Sequence, residues 1–180
     1  MNLSNIFMKD IKHEDFIWQN LGNIKEGRYE LGEEMPVFVY RLMQYTLLNV
    51  LSKANGLERA NSYFRKAGHL AGTEFAKNTL DLTVDFNAFI AGLEKTLHDL
   101  KIGVMRMEFY NPDTGSITLT IAQDLNCSGL PNTSETKCVY DEGFIAGILE
   151  VYTGKRYDVR EIDCWANGDK VCRFSGNIIT

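Results

Sequence analysis

The sequence predicts an α+β domain, a layered α/β arrangement in which helices cover a twisted antiparallel sheet. Two observations carry this. Apolar residues recur at helical spacing through the first half of the chain, and beyond Gly103 the period falls from 3.6 to 2. Turn residues then punctuate two pairs of short alternating runs, the pattern of hairpins that follow helices. A chain of 180 residues suffices for one well-filled core and is short for two domains. Residues 1–27 mix charges and aromatics without a sustained period and read as a lead-in; residues 28–180 read as the domain.

The first helix follows Pro36, which suits an opening turn, and Asn55 with Gly56 suits its end. A second helix follows at once. In it Ala67, Gly68, Ala71 and Gly72 place small residues on successive turns, and each interior glycine costs about 1 kcal/mol against alanine, so a close neighbour must compensate. A tight helix crossing, a subunit contact or a cavity wall would each serve. Asp85 can cap a third helix that ends near Gly103. Two strands come next: Met105, Met107 and Phe109 alternate with Arg106 and Glu108, and Ile117, Leu119 and Ile121 repeat the pattern, with turn chemistry between them at Asn111, Pro112, Asp113 and Gly115. A turn-rich loop leads into a fourth helix that starts near Cys138 and carries Gly143 and Gly147. The chain finishes with a second hairpin, turning at Asn167, Gly168 and Asp169.

A formal charge of −5 and a pI near 5.2 offer no broad basic surface for phosphates, so nucleic acid is not expected as a partner. No apolar run reaches the roughly 18 residues that span a bilayer, and the N-terminus is too polar for a secretion signal; no membrane is expected, and the cytoplasm is the expected compartment. There is no G-x-G-x-x-G after a strand, no phosphate loop, and no H-E-x-x-H or G-x-S-x-G pattern.

Four cysteines in a reducing compartment point to metal binding or to buried thiols rather than to a disulfide framework. A three-residue turn at 167–169 would set Cys164 opposite Cys172, with Cβ atoms about 4.5–5.5 Å apart, near enough for two sulfurs to share a Zn²⁺ at about 2.3 Å. Cys138, at a helix start, gains from the positive end of the macrodipole as a thiolate. Glu161 offers an oxygen. Strict alternation turns it away from Cys164, so its participation requires a bulge, a strand start or a long reach. Cys127, on its loop, competes for the fourth position. Phe89, Leu93, Met105, Met107, Phe109, Leu119 and Trp165 lie where helix and strand faces could converge on a ligand pocket; filling the core is their other reading.

Cys138, Gly143-Phe144, Gly147, Glu161, Cys164, Gly168-Asp169 and Cys172-Arg173-Phe174, with Gly68-His69 and Gly72 upstream, resemble the signature of the 4-vinyl reductase domain. The resemblance covers roughly residues 28–176. It implies a fold related to the Bet-type subunits of the TRAPP tethering complex, usually dimeric. It also implies zinc, held in related sensor domains of aromatic-responsive regulators by a Cys-Glu-Cys-Cys set that corresponds here to Cys138, Glu161, Cys164 and Cys172. Those sensors anchor phenol-like effectors with a histidine and a tryptophan. The matching strand here reads Ile117, Leu119, Ile121 and the preceding helix carries Phe89 and Ile90, which leaves room for a larger or more apolar ligand. The expected function is a zinc-containing, sensor-like domain enclosing a small hydrophobic molecule, whose output passes through its dimer or another protein partner. An enzyme or accessory of tetrapyrrole vinyl reduction, and a TRAPP-type scaffold subunit, are the alternatives that the resemblance also implies.

Overall fold

A computed structural model describes residues 15–133 and 136–179. Of the lead-in expected over 1–27, residues 1–14 lie outside the described residues, as do residues 134 and 135 of the turn-rich loop. The chain forms two compact units, divided between Glu33 and Glu34. In the first, a 3₁₀ turn at Trp18–Leu21 precedes a single-turn helix, α1 (Ile24–Gly27), capped by the Asn23 side chain, which accepts from the Glu26 N–H at 3.1 Å.

The second unit holds the remaining elements: α2 (Val37–Asn55), α3 (Leu57–Thr79), α4 (Phe86–Asp99), β1 (Val104–Tyr110), β2 (Ile117–Ala122), α5 (Val139–Thr153), β3 (Tyr157–Asp163) and β4 (Cys172–Ile178). Asp85 caps α4 as its sequence suggests, its Oδ1 accepting from the N–H groups of Asn87 at 2.9 Å and Ala88 at 3.1 Å. The sheet order is β1-β2-β4-β3, with every neighbour antiparallel. Each hairpin is local in sequence. The β2–β4 pairing, with Ile121 opposite Cys172 and Leu119 opposite Phe174, joins the two hairpins into one sheet.

Two bulges decide which side chains face the core. In β1 the register shifts between Met107 and Phe109, so alternation breaks there: Met105 is buried, whereas Phe109 is turned outward and 51% exposed. The sequence placed Phe109 on the same face as Met105 and Met107; the extra residue reverses it, and Tyr110 stacks on Phe86 instead, with ring centroids 3.9 Å apart. In β3 the shift falls between Glu161 and Asp163. Tyr157, Val159 and Glu161 point inward, Ile162 points out, and Cys164 returns to the interior. The bulge that Glu161 needed in order to share a face with Cys164 is therefore present.

Helix α5 lies between the sheet and α3 and is apolar nearly all round, as befits a central helix. Its crossing with α3 is a backbone contact. A Cβ on Gly68 would lie 2.0 Å from the Tyr140 carbonyl oxygen, one on Gly72 2.0 Å from that of Phe144, one on Gly143 1.9 Å from that of Arg65, and one on Gly147 2.3 Å from that of His69. Small residues in both helices thus serve one crossing. Polar contacts lock the same layers: Glu142 pairs with Arg65 of α3 and accepts the Glu161 N–H at 2.9 Å, and His69 Nε2 meets Glu150 at 2.7 Å.

Candidate functional site: a four-cysteine cluster beside an apolar cavity

All four cysteines converge where the head of α5 meets the sheet. Cys172 opens β4, Cys138 occupies the N-cap position of α5, and Cys164 follows the β3 bulge. Cys127 comes from the loop after β2. There Gln123 takes a left-handed conformation (φ 53°), and Asp124 Oδ1 accepts the N–H groups of Asn126 (2.7 Å) and Cys127 (3.0 Å), closing a tight turn. Every one of the four is buried, and their sulfurs lie within 4.8 Å of one another. Bonds of about 2.3 Å in a tetrahedron put sulfurs about 3.8 Å apart. Cys138 and Cys172 stand at 3.7 Å, which matches; Cys127 and Cys172 are closer, at 2.9 Å. The cluster could hold one metal ion.

Glu161 sits beside the sulfurs. Its Oε2 accepts from the N–H groups of Lys137 (3.0 Å) and Cys138 (2.9 Å) at the head of α5, while its Oε1 is buried without a hydrogen-bond partner. Burial pushes its carboxyl up to about 8, against the pull of the Cys138 N–H. Hydrogen bonds from Cys127, Cys138 and Cys172 hold the Cys164 thiol far below the ordinary thiol range. Hydrogen bonding, with Cys127 the largest contributor, pushes Cys138 and Cys172 up. Metal-free, the cluster is thus a set of thiols sharing one thiolate at Cys164. Cys127, the alternative fourth ligand by sequence, is brought in by the Asp124 turn. An aspartate three residues before a loop cysteine was the signal for it.

The expected turn between Cys164 and Cys172 is longer than three residues. The ladder stops at Asp163 opposite Arg173, and a 3₁₀ turn at Trp165–Asn167 follows, with Asn167 Oδ1 accepting the Cys164 N–H at 3.1 Å. Cys164 and Cys172 still continue the register of that last pair, so the two sulfurs meet without a ladder bond between their residues.

Against the cluster lies a narrow cavity between α4, α5 and the sheet. Leu93, Met105, Met107 and Leu119 line it, together with Ile90, Ile121, Phe144 and Ile148. Asp124 and Asp141 form its polar end, and the same two carboxyls stand with Cys138 in a group whose ligand atoms lie within 4.8 Å of one another. Burial raises both carboxyls, Asp141 well above the usual range. The cavity holds about 20 Å³, room for about one water. Three residues expected in the pocket lie elsewhere. Phe89 is buried against Tyr152, with ring centroids 3.9 Å apart; Phe109 is turned out by the β1 bulge; and Trp165, 36% exposed, donates its indole N–H to the Leu130 carbonyl at 3.1 Å.

The sequence profile of the 4-vinyl reductase domain family matches residues 117–178, the stretch from β2 to β4 that holds every cysteine. The chain is a 4-vinyl reductase domain protein. Three solved structures share its fold. The phenol-responsive sensory domain of the transcription activator PoxR, solved with phenol, is 15% identical and aligns over 82% of this chain and 76% of its own with a TM-score of 0.63. A vinyl-4-reductase family protein of Methanocaldococcus jannaschii is 14% identical over 84% of this chain and 86% of its own, with a TM-score of 0.59. A trafficking protein particle complex subunit 3 of Naegleria fowleri, solved covalently bound to palmitic acid, is 13% identical over 80% and 95%, with a TM-score of 0.62. The 4-vinyl reductase domain thus has the layered fold of the TRAPP subunit and of the sensory domain. Among its described residues no helix is long and apolar enough to cross a membrane.

Proposed function

We propose that this 4-vinyl reductase domain is a zinc-containing, sensor-like module of the cytoplasm that encloses a small hydrophobic molecule. The observation that carries the reading is the mutual approach of four buried sulfurs against an apolar cavity. Soft thiolates in a tetrahedral set suit zinc, and four protein ligands leave no open position for activating water, so the ion holds the fold together. The cavity is collapsed. An engineered cavity that takes benzene measures about 150 Å³, so a ligand must part the walls, and the flexible Met105 and Met107 are the side chains suited to give way. Asp124 and Asp141 offer the ligand a hydrogen-bonding end. The two relatives solved with phenol and with palmitic acid support a hydrophobic occupant for this fold.

Two measurements test the reading. Elemental analysis of protein purified without added metal should give about one zinc per chain. A bound ligand at 100 times its Kd adds about 2.7 kcal/mol, raising the melting temperature by about 5–10 °C. A stable, metal-free protein removes the zinc; no thermal shift across a panel of phenols and fatty acids removes the ligand.

A homodimer belongs to the same proposal. Helix α2 exposes Phe38, Leu42, Met43, Leu47 and Val50, the first at 68%, on a stretch too apolar to face water alone. A second copy is the natural cover, since the TRAPP relative comes from an assembly. Sedimentation equilibrium should give the mass of two chains, and Leu42→Glu with Met43→Glu should return it to one.

A further inference from the structure

The site holds five donors for a tetrahedral ion's four positions. Cys138, Cys164 and Cys172 are fixed to elements of the fold: the head of α5, the end of β3 and the start of β4. The other two differ in how they are held. Glu161 is anchored by Oε2 on the N–H groups of Lys137 and Cys138, which leaves Oε1 buried, 8% of the residue exposed, and unpartnered beside Cys138 and Cys164. A buried carboxylate oxygen with no donor is costly unless something claims it.

Cys127 rides on the loop 124–128, and its sulfur lies 2.9 Å from that of Cys172, about 0.9 Å inside a tetrahedral edge. To bind the ion it must draw back, taking the loop along. That loop is held from the other side by α2. Tyr40 donates to Asn126 Oδ1 at 2.8 Å, Tyr45 donates to the Asn126 carbonyl at 2.9 Å, and Arg41 donates to the carbonyls of Leu125 at 2.7 Å and Ser128 at 2.9 Å. Asp124 of the same loop borders the cavity.

We propose that Cys127 is a detachable ligand and Glu161 its standby, so that the metal passes between a four-cysteine set and a three-cysteine, one-glutamate set. Three sulfurs keep the ion throughout. The exchange moves the loop that touches the cavity through Asp124 and α2 through Tyr40, Arg41 and Tyr45, and so ties cavity occupancy to the helix with the exposed apolar face. This rests on the metal reading above.

Cobalt(II) titration of the full chain tests it, because the thiolate-to-cobalt charge-transfer band counts sulfurs. Wild type should bind one ion with a four-thiolate band. Cys127→Ser should still bind one ion, with the band lower by about a quarter and affinity down about 10- to 100-fold. Glu161→Gln should keep the four-thiolate band and nearly all its affinity, whereas the double variant should lose at least about a further hundredfold. Amide exchange across residues 124–128 should speed about tenfold in metal-loaded Cys127→Ser. Loss of the ion in Cys127→Ser, checked with Cys127→Ala, overturns the exchange, as does its loss in Glu161→Gln alone. Failure of wild type to bind cobalt would instead remove the metal reading itself.

Discussion

Cys172→Ser is expected to abolish metal binding and to cost about 5 kcal/mol or more, lowering the melting temperature by roughly 10–20 °C. Cys172 is the hub of the cluster: it opens β4 opposite Ile121 of β2, and its sulfur meets those of Cys127 and Cys138. Losing it frees the last hairpin from α5 and from the loop after β2 together. If the sulfurs were only packing, the same change in a buried site would cost about 1–3 kcal/mol, and a chelator would do nothing. Wild type treated with a strong chelator should therefore melt near the variant, and the variant should ignore the chelator. The metal affinity carries its own sign. Zinc binds thiolates, and with Cys164 the one thiol held low, binding must expel up to three protons. Affinity should rise with pH, by as much as about 10³ per unit while those thiols remain protonated, and the ion should be shed on acidification. Titration in buffers of different ionisation enthalpy reads the proton count directly, and a count near zero would contradict the cluster described above.

The elements of this domain were legible because they are periodic. Pro36, Asp85 and Gly103 bracket helices, and the change of period after Gly103 marks the sheet. What escaped were features decided by one extra residue or by distant partners. Nothing local in VMRMEFY announces the bulge that turns Phe109 outward, since its cause is the register with β2. The bulge at Ile162 could be named only as a condition on Glu161. The pairing of β2 with β4 joins segments about fifty residues apart, and no propensity encodes it. Cys127 was readable as a candidate but not as a neighbour of Cys172, because the turn that delivers it depends on the Asp124 side chain. Phe89 and Trp165 have the right composition for a pocket; Tyr152 and the Leu130 carbonyl claim them first.

The glycines of the α3–α5 crossing give the second large expectation. Gly143→Ala should destabilise the domain by about 3 kcal/mol or more, although alanine is the better helix former by about 1 kcal/mol. The new methyl group would stand 1.9 Å from the Arg65 carbonyl oxygen and 2.7 Å from the His69 nitrogen. Both are backbone atoms, which cannot rotate away as a side-chain tip would, so the two helices must separate. Gly68, Gly72 and Gly147 make the same contact along the seam and hold α5 against any such shift. Gly92 of α4 supplies the control: a Cβ there meets nothing within 4 Å, so Gly92→Ala should stabilise by about 0.5–1 kcal/mol. Opposite signs at two helical glycines separate packing from propensity in a single pair of thermal melts, and equal signs would dismiss the crossing as the reason for the glycines. Because Cys138 caps α5, the displacement should also reach the metal: Gly143→Ala should weaken zinc binding, while Gly92→Ala leaves it unchanged.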